Sequence, residues 1–265
     1  MMISDGKSKK KDIIAYLKNK SKIMNIDFMN EVEKYIGLKG YNLYTIHDKN
    51  SILGVSSIAK VNNKSFDFFS RIEANDEEAV EYLINMYPPG KNVCIRVQNC
   101  KTQKYLNDFG KILPVDTYIY FLFAQKNCFC DKDPDVIELT KNKIHLFKER
   151  GEWAKNELFN KGLYKKRVFA IFNKGEIASS VAVSSMIIDK DKKESISGIT
   201  SLYTEKEYRR KGFAKRLILH VAYVFLQKSS ELLYYTQEEN SKSVAFAKGI
   251  GFKECFVAKD YIFKK

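Results

Sequence analysis

The sequence predicts an α+β protein, α/β-sandwich-like, with mixed sheets in two halves. Three observations carry this. Short β-rich runs alternate with amphipathic helical stretches along the whole chain. Two apolar runs, Arg167–Phe172 and Ile177–Ile188, flank the turn Asn173-Lys174-Gly175-Glu176, a strong hairpin signal. A polar, turn-rich segment, Asn127–Asp135 (NCFCDKDPD), separates the two halves.

Residues 8–36 read as helical, with Ile13, Ile14, Leu17, Ile23, Ile26 and Phe28 set among lysines. Tyr41–His47 and Ile52–Val61 predict a hairpin around Asp48-Lys49-Asn50, and Phe66–Ile72 a further strand. Asp76-Glu77-Glu78 opens a helix through Met86, which Pro88-Pro89-Gly90 stops. Val93–Val97 is a strand, Gln103–Phe109 a short helix, and Val115–Ala124 an aromatic-rich strand. After the linker, Val136–Leu139 predicts a short strand and residues 141–160 a helix, followed by the hairpin of 167–188 and a charged turn at Asp189–Lys193. Ile196–Thr204 is a strand, Lys211–Gln227 a long amphipathic helix, Leu232–Thr236 a strand, Ser241–Gly249 a helix and Cys255–Phe263 the last strand. The second half therefore reads β-α-β-β-β-α-β-α-β, and the first half carries a similar, weaker run. The expected domains are 1–130 and 134–265.

With 265 residues, 45% of them hydrophobic, the chain suits two modest domains or one large one. The formal charge of +14 admits attraction to nucleic acid or another anion. The lysines are spread along the chain instead of gathered into a footprint, which favours ordinary surface lysines over nucleic-acid binding. Cys128-Phe129-Cys130 is too tight for a C-x2-C metal site and no matching pair follows, so no metal is expected. The basic N-terminus lacks the apolar core of a signal peptide, and the longest uncharged apolar stretch, Leu217–Gln227, is too short to span a bilayer. These features predict a cytoplasmic protein without a membrane partner. They leave the oligomeric state open.

The chemistry-bearing stretch is Ile199–Ala214, ITSLYTEKEYRRKGFA. A strand leads into a basic, glycine-containing loop that opens a long helix. A helix N-terminus exposes unpaired N–H groups and carries about half a positive charge. Gly212 lets backbone approach an anion closely, and Arg209, Arg210, Lys211 and Lys215 surround the same point. A pyrophosphate suits such a place. Neither G-x-x-x-x-G-K-[ST] nor G-x-G-x-x-G is present, so this is not a P-loop or a dinucleotide fingerprint. A solvated helix start, with Thr204-x-x-Glu207 as a capping box, is the plain alternative.

Arg209-Arg210-Lys211-Gly212-Phe213-Ala214 resembles the R/Q-x-x-G-x-G/A motif of the GNAT N-acyltransferase superfamily. Leu202-Tyr203-Thr204 matches the preceding strand end, and Asn240-x-x-Ser243 followed by Gly251-Phe252 is similar to the family's later signature. The wording looks most like the glycine N-acyltransferase-like subgroup, whose members pair a diverged N-terminal half with a working C-terminal one. The resemblance covers about half the chain. It implies a GNAT fold with a mixed, splayed central sheet in the C-terminal half and a degenerate GNAT-like N-terminal half.

It also implies an acetyl-CoA-dependent N-acetyltransferase acting on an amine acceptor by direct attack in a ternary complex. Backbone groups of Leu202, Tyr203 and Thr204 would pair with the pantetheine arm. Amides of Arg210, Lys211, Gly212, Phe213 and Ala214 would hold the pyrophosphate, with Arg209 bracing the loop. Asn240, with Ser243 in the same signature, would lie along the pantetheine. The family's usual general acid, a Tyr seven residues after the Asn, is replaced by Ala247; Tyr203, Tyr234 or Tyr235 are the available phenols. Glu194 is the candidate base, with a solvated turn as the competing reading. Trp153 and His145 fall in the stretch that borders the acceptor site in this superfamily, where packing or surface roles compete with substrate contact. A CoA-binding sensor without turnover is the alternative function, since the acid is missing. The acceptor itself is not encoded in any motif.

Overall fold

The computed structural model describes residues 2–49, 51–109, 112–124, 132–159, 166–189, 194–227 and 231–264. The Cys128-Phe129-Cys130 triplet, most of the expected linker and the turn at 190–193 lie outside them. The elements in chain order are β1 (Met2–Asp5), α1 (Lys10–Ser21), α2 (Ile26–Tyr35), β2 (Tyr41–His47), β3 (Ile52–Lys60), β4 (Phe68–Ala74), α3 (Glu77–Asn85), β5 (Asn92–Val97), α4 (Cys100–Asp108) and β6 (Ile112–Ala124). There follow β7 (Val136–Leu139), the single turn α5 (Gly151–Trp153), β8 (Lys166–Asn173), β9 (Glu176–Asp189), β10 (Glu194–Thr204), α6 (Phe213–Phe225), β11 (Glu231–Gln237), α7 (Ser241–Gly249) and β12 (Lys253–Lys264). The chain divides into two compact units. One is Met1–Ile119 with Gln237–Asn240 and Phe256–Lys265; the other is Tyr120–Thr236 with Ser241–Cys255.

In the first unit the strands run in the order β1-β2-β3-β4-β5-β12. All neighbours are antiparallel except β4 and β5. Successive residues of a strand face opposite sides, and the two sides differ in kind. Ile58, Ile72, Ile95 and Tyr261 pack with Val80, Leu83 and Leu106 of α3 and α4 into an apolar core. On the other side, Glu31 of α2 accepts hydrogen bonds from Ser57 Oγ at 2.8 Å and Arg71 Nε at 2.9 Å. Glu73, two residues along from Arg71, is 1% exposed and accepts a hydrogen bond from Asn99 Nδ2 at 2.6 Å. Burial pushes its carboxyl up to about 7, with Asn99, Lys20 and Asn25 opposing the shift. The helix between the parallel strands, α3, starts under its own carboxylates: Asp76 Oδ1 accepts from the Ala79 N–H at 2.8 Å, and Glu77 and Glu78 occupy the first turn.

The second unit repeats that pattern of strands with different helix ends. Its order is β11-β10-β9-β8-β7, with β10 and β11 parallel and the remaining neighbours antiparallel. Lys174 and Gly175, both at positive φ (50° and 81°), close the β8–β9 hairpin as the sequence predicts. Phe169 of β8 meets Phe225 of α6 edge-on at 5.8 Å. Its neighbours Val168 and Ala170 face the other side and pack with Phe147, Ala154, Leu158 and Ala182.

Two sequence expectations need correction, and one short strand was not foreseen. Residues 2–5 form a short strand, β1, ahead of the helical stretch; four residues of MISD carry too little periodicity to be read. Residues 141–160 are not one helix. A 3-10 stretch, Lys141–Arg150, is broken at Lys148 (φ 47°); the turn of α5 follows, then a π-helical turn at Ala154–Leu158. Gly151 weakens the middle of this stretch, and the flanking Lys148 and Arg150 pair with Glu176 and Glu205. The Thr204-x-x-Glu207 capping box does not form. Thr204 ends β10, its Oγ1 lies 3.0 Å from Ser179 Oγ, and a 3-10 turn, Lys206–Tyr208, separates it from α6.

Candidate functional site

The second unit presents an opening between two parallel strands. β10 and β11 pair at Ser197↔Leu232, Gly198↔Leu233 and Ile199↔Tyr234, and no further pair follows among the described residues. Both strands continue, β10 to Thr204 and β11 to Gln237. Against β9, the register of β10 slips between Thr200↔Ala182 and Tyr203↔Ser180, so one extra residue bulges out, and Ser201 takes φ 54°. Backbone groups at Ser201 and Leu202 therefore leave the ladder at the point where the neighbouring strand departs.

The loop after β10 brings its peptide N–H groups round to the start of α6. Arg210 (φ 62°) and Gly212 (φ 83°) both adopt left-handed backbone. Gly212 is the N-cap of α6 and supplies no side-chain cap; the first bond back into the helix runs from the Arg216 N–H to the Gly212 carbonyl at 3.0 Å. The amides of the first turn are thus left for an outside acceptor. The turn holds no acidic residue, while Arg209, Arg210 and Lys211 are exposed beside it. A Cβ on Gly212 would meet nothing within 4 Å, so glycine is favoured here by φ, not by internal crowding. Consecutive N–H groups with this handedness form an anion-binding concavity.

Arg209 ties the loop to the strand: Nε donates to the Thr204 carbonyl at 3.0 Å and Nη2 to Tyr203 Oη at 3.3 Å. Arg216, further into α6, is engaged by Asp133 at 2.7 Å and Asp135 at 2.6 Å; the Arg216 hydrogen bond holds the Asp133 carboxyl below its usual range. Buried His220 accepts the Asp133 N–H on Nδ1 at 3.0 Å, and burial lowers its pKa. His220 thus ties α6 to the segment before β7.

The other sequence candidates fall in different places. Ser243 lies in the first turn of α7 with its hydroxyl against Tyr234 Oη. Asn240 lies in the Gln237–Asn240 segment of the first unit, its N–H bonded to the Gln237 carbonyl at 3.0 Å. Ala247 is fully buried. Tyr235 stacks on Tyr120 at 5.0 Å, and Tyr234 is buried, which leaves Tyr203 as the half-buried phenol at the opening. Glu194 begins β10; its side chain lies outside the described residues. Its backbone is placed: β10 has 11 residues, so at ~3.3 Å per residue Glu194 stands about 30 Å from Thr204 at the strand's far end. His145 is exposed, with Nδ1 3.0 Å from the Asn142 carbonyl oxygen. No cluster of three His, Cys, Asp or Glu side chains able to hold a metal occurs among the described residues. None of their helices is long and apolar enough to cross a membrane.

Arg150 is the functional candidate that the sequence does not announce. Its guanidinium carbon lies 3.4 Å from the Tyr203 ring centroid and 4.0 Å from that of Trp153, and the two rings are 5.5 Å apart. The only sequence signal was the Trp153 already noted, three residues on.

A family model described as FR47-like protein matches residues 179–261. No curated protein matches the chain. Among solved structures, a GCN5-related N-acetyltransferase from Kribbella flavida superposes with TM-score 0.60 at 8% identity, covering 92% of this chain and 95% of that one. An acetyltransferase of the GNAT family from Colwellia psychrerythraea gives 0.57 at 10% identity with 100% of both chains covered. A tandem GNAT protein from the clavulanic acid biosynthesis pathway gives 0.59 at 11% identity, covering 90% and 87%. At such identities the likeness is one of fold. The chain has the GNAT fold, α+β with mixed sheets, in a two-half arrangement like that of the tandem protein.

Proposed function

From that fold we propose that the chain is an acetyl-CoA-dependent N-acyltransferase whose second unit carries the site, with the first unit a GNAT-like half that has lost the cofactor. The observation that carries this is the start of α6. An uncapped, glycine-hinged helix end, free of acid and ringed by three basic residues, opens beside a pair of parallel strands that have stopped pairing. The corresponding helix of the first unit, α3, has an Asp cap and two glutamates there.

In this reading the amides of Arg210–Ala214 hold the pyrophosphate of CoA, and Arg209 keeps the loop against Thr204. The backbone of Leu202–Thr204, beyond the last pair with β11, pairs with the pantetheine arm, and Ser243 and Asn240 belong to the same family signature. Acetyl-CoA supplies an acyl thioester. A backbone N–H at the bulge near Tyr203 polarises its carbonyl as an oxyanion donor does. The acceptor amine attacks the carbonyl carbon, the C–S bond breaks, and the amine proton leaves to water. The thiolate needs little help in leaving, because thiols ionise near pH 8.5. This accommodates alanine at position 247, and the remote start of β10 leaves Glu194 no part in the step.

Calorimetric titration with acetyl-CoA, followed by thiol release with a panel of amines, tests the reading. Binding with release is expected. Absence of binding would overturn the site; binding without release from any amine would overturn the transfer.

A further inference from the structure

We propose that Ser179 is a positioning residue for the cofactor: its hydroxyl holds the Tyr203 carbonyl, and so orients and strengthens the Thr204 N–H that takes the pantetheine arm. This rests on the acyltransferase reading above. Ser179 lies in β9, is 1% exposed and does not itself reach a ligand.

The ladder fixes the directions. Past the bulge, β10 and β9 resume pairing at Tyr203↔Ser180 and Thr204↔Ser179, and the Glu205 N–H donates to the Ala178 carbonyl at 3.0 Å. Alternate residues of an antiparallel ladder turn both backbone groups to the same neighbour. Tyr203 and Glu205 therefore face β9, and Thr204 turns its N–H and carbonyl to the side where β11 has stopped pairing. Arg209 Nε takes the Thr204 carbonyl at 3.0 Å. The N–H is then the backbone group that Thr204 offers a ligand. With the pyrophosphate at Arg210–Ala214, the arm runs back along β10 and meets Thr204 before Leu202.

The Thr204 N–H and the Tyr203 carbonyl belong to one planar peptide and point opposite ways. Ser179 Oγ donates to that carbonyl at 2.8 Å. With its proton used there, the same oxygen accepts from Thr204 Oγ1 at 3.0 Å. Two hydroxyls thus line up behind one carbonyl. They hold the peptide plane and draw electron density from the N–H at its other end. Bonds in such a chain strengthen one another by about 10–30% each.

The first unit has the same ladder end without the hydroxyls. There the Asn75 N–H donates to the Leu53 carbonyl at 2.8 Å, as Glu205 does to Ala178, and the adjacent pair is Gly54↔Ala74. Glycine and alanine stand where the second unit has Ser179 and Thr204. A Cβ on Gly54 would meet Leu83 Cδ1 at 3.0 Å and Ala74 Cβ at 3.3 Å, so a serine there would crowd both. The paired hydroxyls belong to the unit with the uncapped, basic helix start, and the glycine and alanine to the unit whose helix start is capped by Asp76.

Two probes separate the arm from the rest of the cofactor: CoA, and 3′-phosphoadenosine 5′-diphosphate, which keeps the pyrophosphate and lacks pantetheine. Both are titrated calorimetrically into full-length wild type, Ser179→Ala and Ser179→Thr, with folding temperatures measured alongside. Ser179→Ala is expected to weaken CoA by about 2- to 10-fold, the range for one neutral hydrogen bond, and to leave the fragment unchanged. Ser179→Thr keeps the hydroxyl and should bind both probes as wild type does. A merely structural residue would weaken both probes together or change the folding temperature alone; either result overturns the inference while the pyrophosphate site stands. So does a Ser179→Thr variant that loses CoA, and CoA only, as far as Ser179→Ala. If wild type binds the fragment as tightly as CoA, the arm adds nothing and the inference fails. No binding of either probe to wild type overturns this inference and the acyltransferase reading together.

Discussion

Replacing Gly212 by valine separates the two reasons for a glycine at the start of α6. Gly212 sits at φ 83°, ψ −6°, and a Cβ there would touch nothing within 4 Å. In the free protein the substitution therefore costs backbone strain alone, about 1–3 kcal/mol for a β-branched residue in left-handed backbone. Bound pyrophosphate would lie where that side chain projects. Losing one N–H bond to a charged oxygen costs about 1.5–3 kcal/mol, or roughly 10- to 100-fold in affinity. Gly175 offers a matched control. It has φ 81° and an equally open Cβ position, but lies in the β8–β9 turn. Gly175→Val should lose the same stability and no affinity. The assay is denaturant unfolding of both variants alongside calorimetric titration with acetyl-CoA. If Gly212→Val binds acetyl-CoA as tightly as wild type, or if Gly175→Val weakens it equally, the assignment of the pyrophosphate to this loop is refuted.

Three further outcomes follow from the same structure. Acetyl-CoA should bind once per chain, because Asp76, Glu77 and Glu78 already satisfy and repel at the start of α3; a calorimetric stoichiometry of two would contradict this. Glu73→Gln should change how stability depends on pH. The folded pKa of about 7 exceeds the ordinary 4.5, so the native state holds an extra proton between those values and loses stability as pH rises through 7. Unfolding measured at pH 5 and pH 8 should show the variant gaining on wild type at the higher pH, by about 1–3 kcal/mol; an unchanged difference would mean that Glu73 is not held protonated. Asp76→Ala removes the cap on α3 and should cost about 1 kcal/mol of stability without touching acetyl-CoA affinity; a loss of affinity in the titration would show that the first unit takes part in binding.

Much of the site was readable because its chemistry is local. The αL glycine, the basic loop and the helix behind it are consecutive from Arg209 to Phe225, so residue type alone signals a positive, glycine-led helix start, while the structure excluded the capping box at Thr204. The β8–β9 hairpin was legible for the same reason, its turn chemistry residing in two adjacent residues, Lys174 and Gly175. Other features carry no local trace. Glu73 looks like any strand residue until α4 arrives to lay Asn99 over it. The break at Lys148 defeats a helical reading, and the side chains beside it pair with Glu176 and Glu205, partners no local pattern announces.

By itself the sequence determined the α+β class, the order of nearly all elements and the basic, glycine-led start of α6, since periodicity, turn residues and helix ends act over a few residues. Only the tertiary structure decided where β10 and β11 part and where β10 bulges. It also returned 237–240 and 256–265 to the first unit. Likewise it brought Arg150 onto Tyr203 beside Glu205, a partner 55 residues away in sequence. Those are consequences of strand pairing and packing between segments far apart in the chain, and no short-range pattern specifies them.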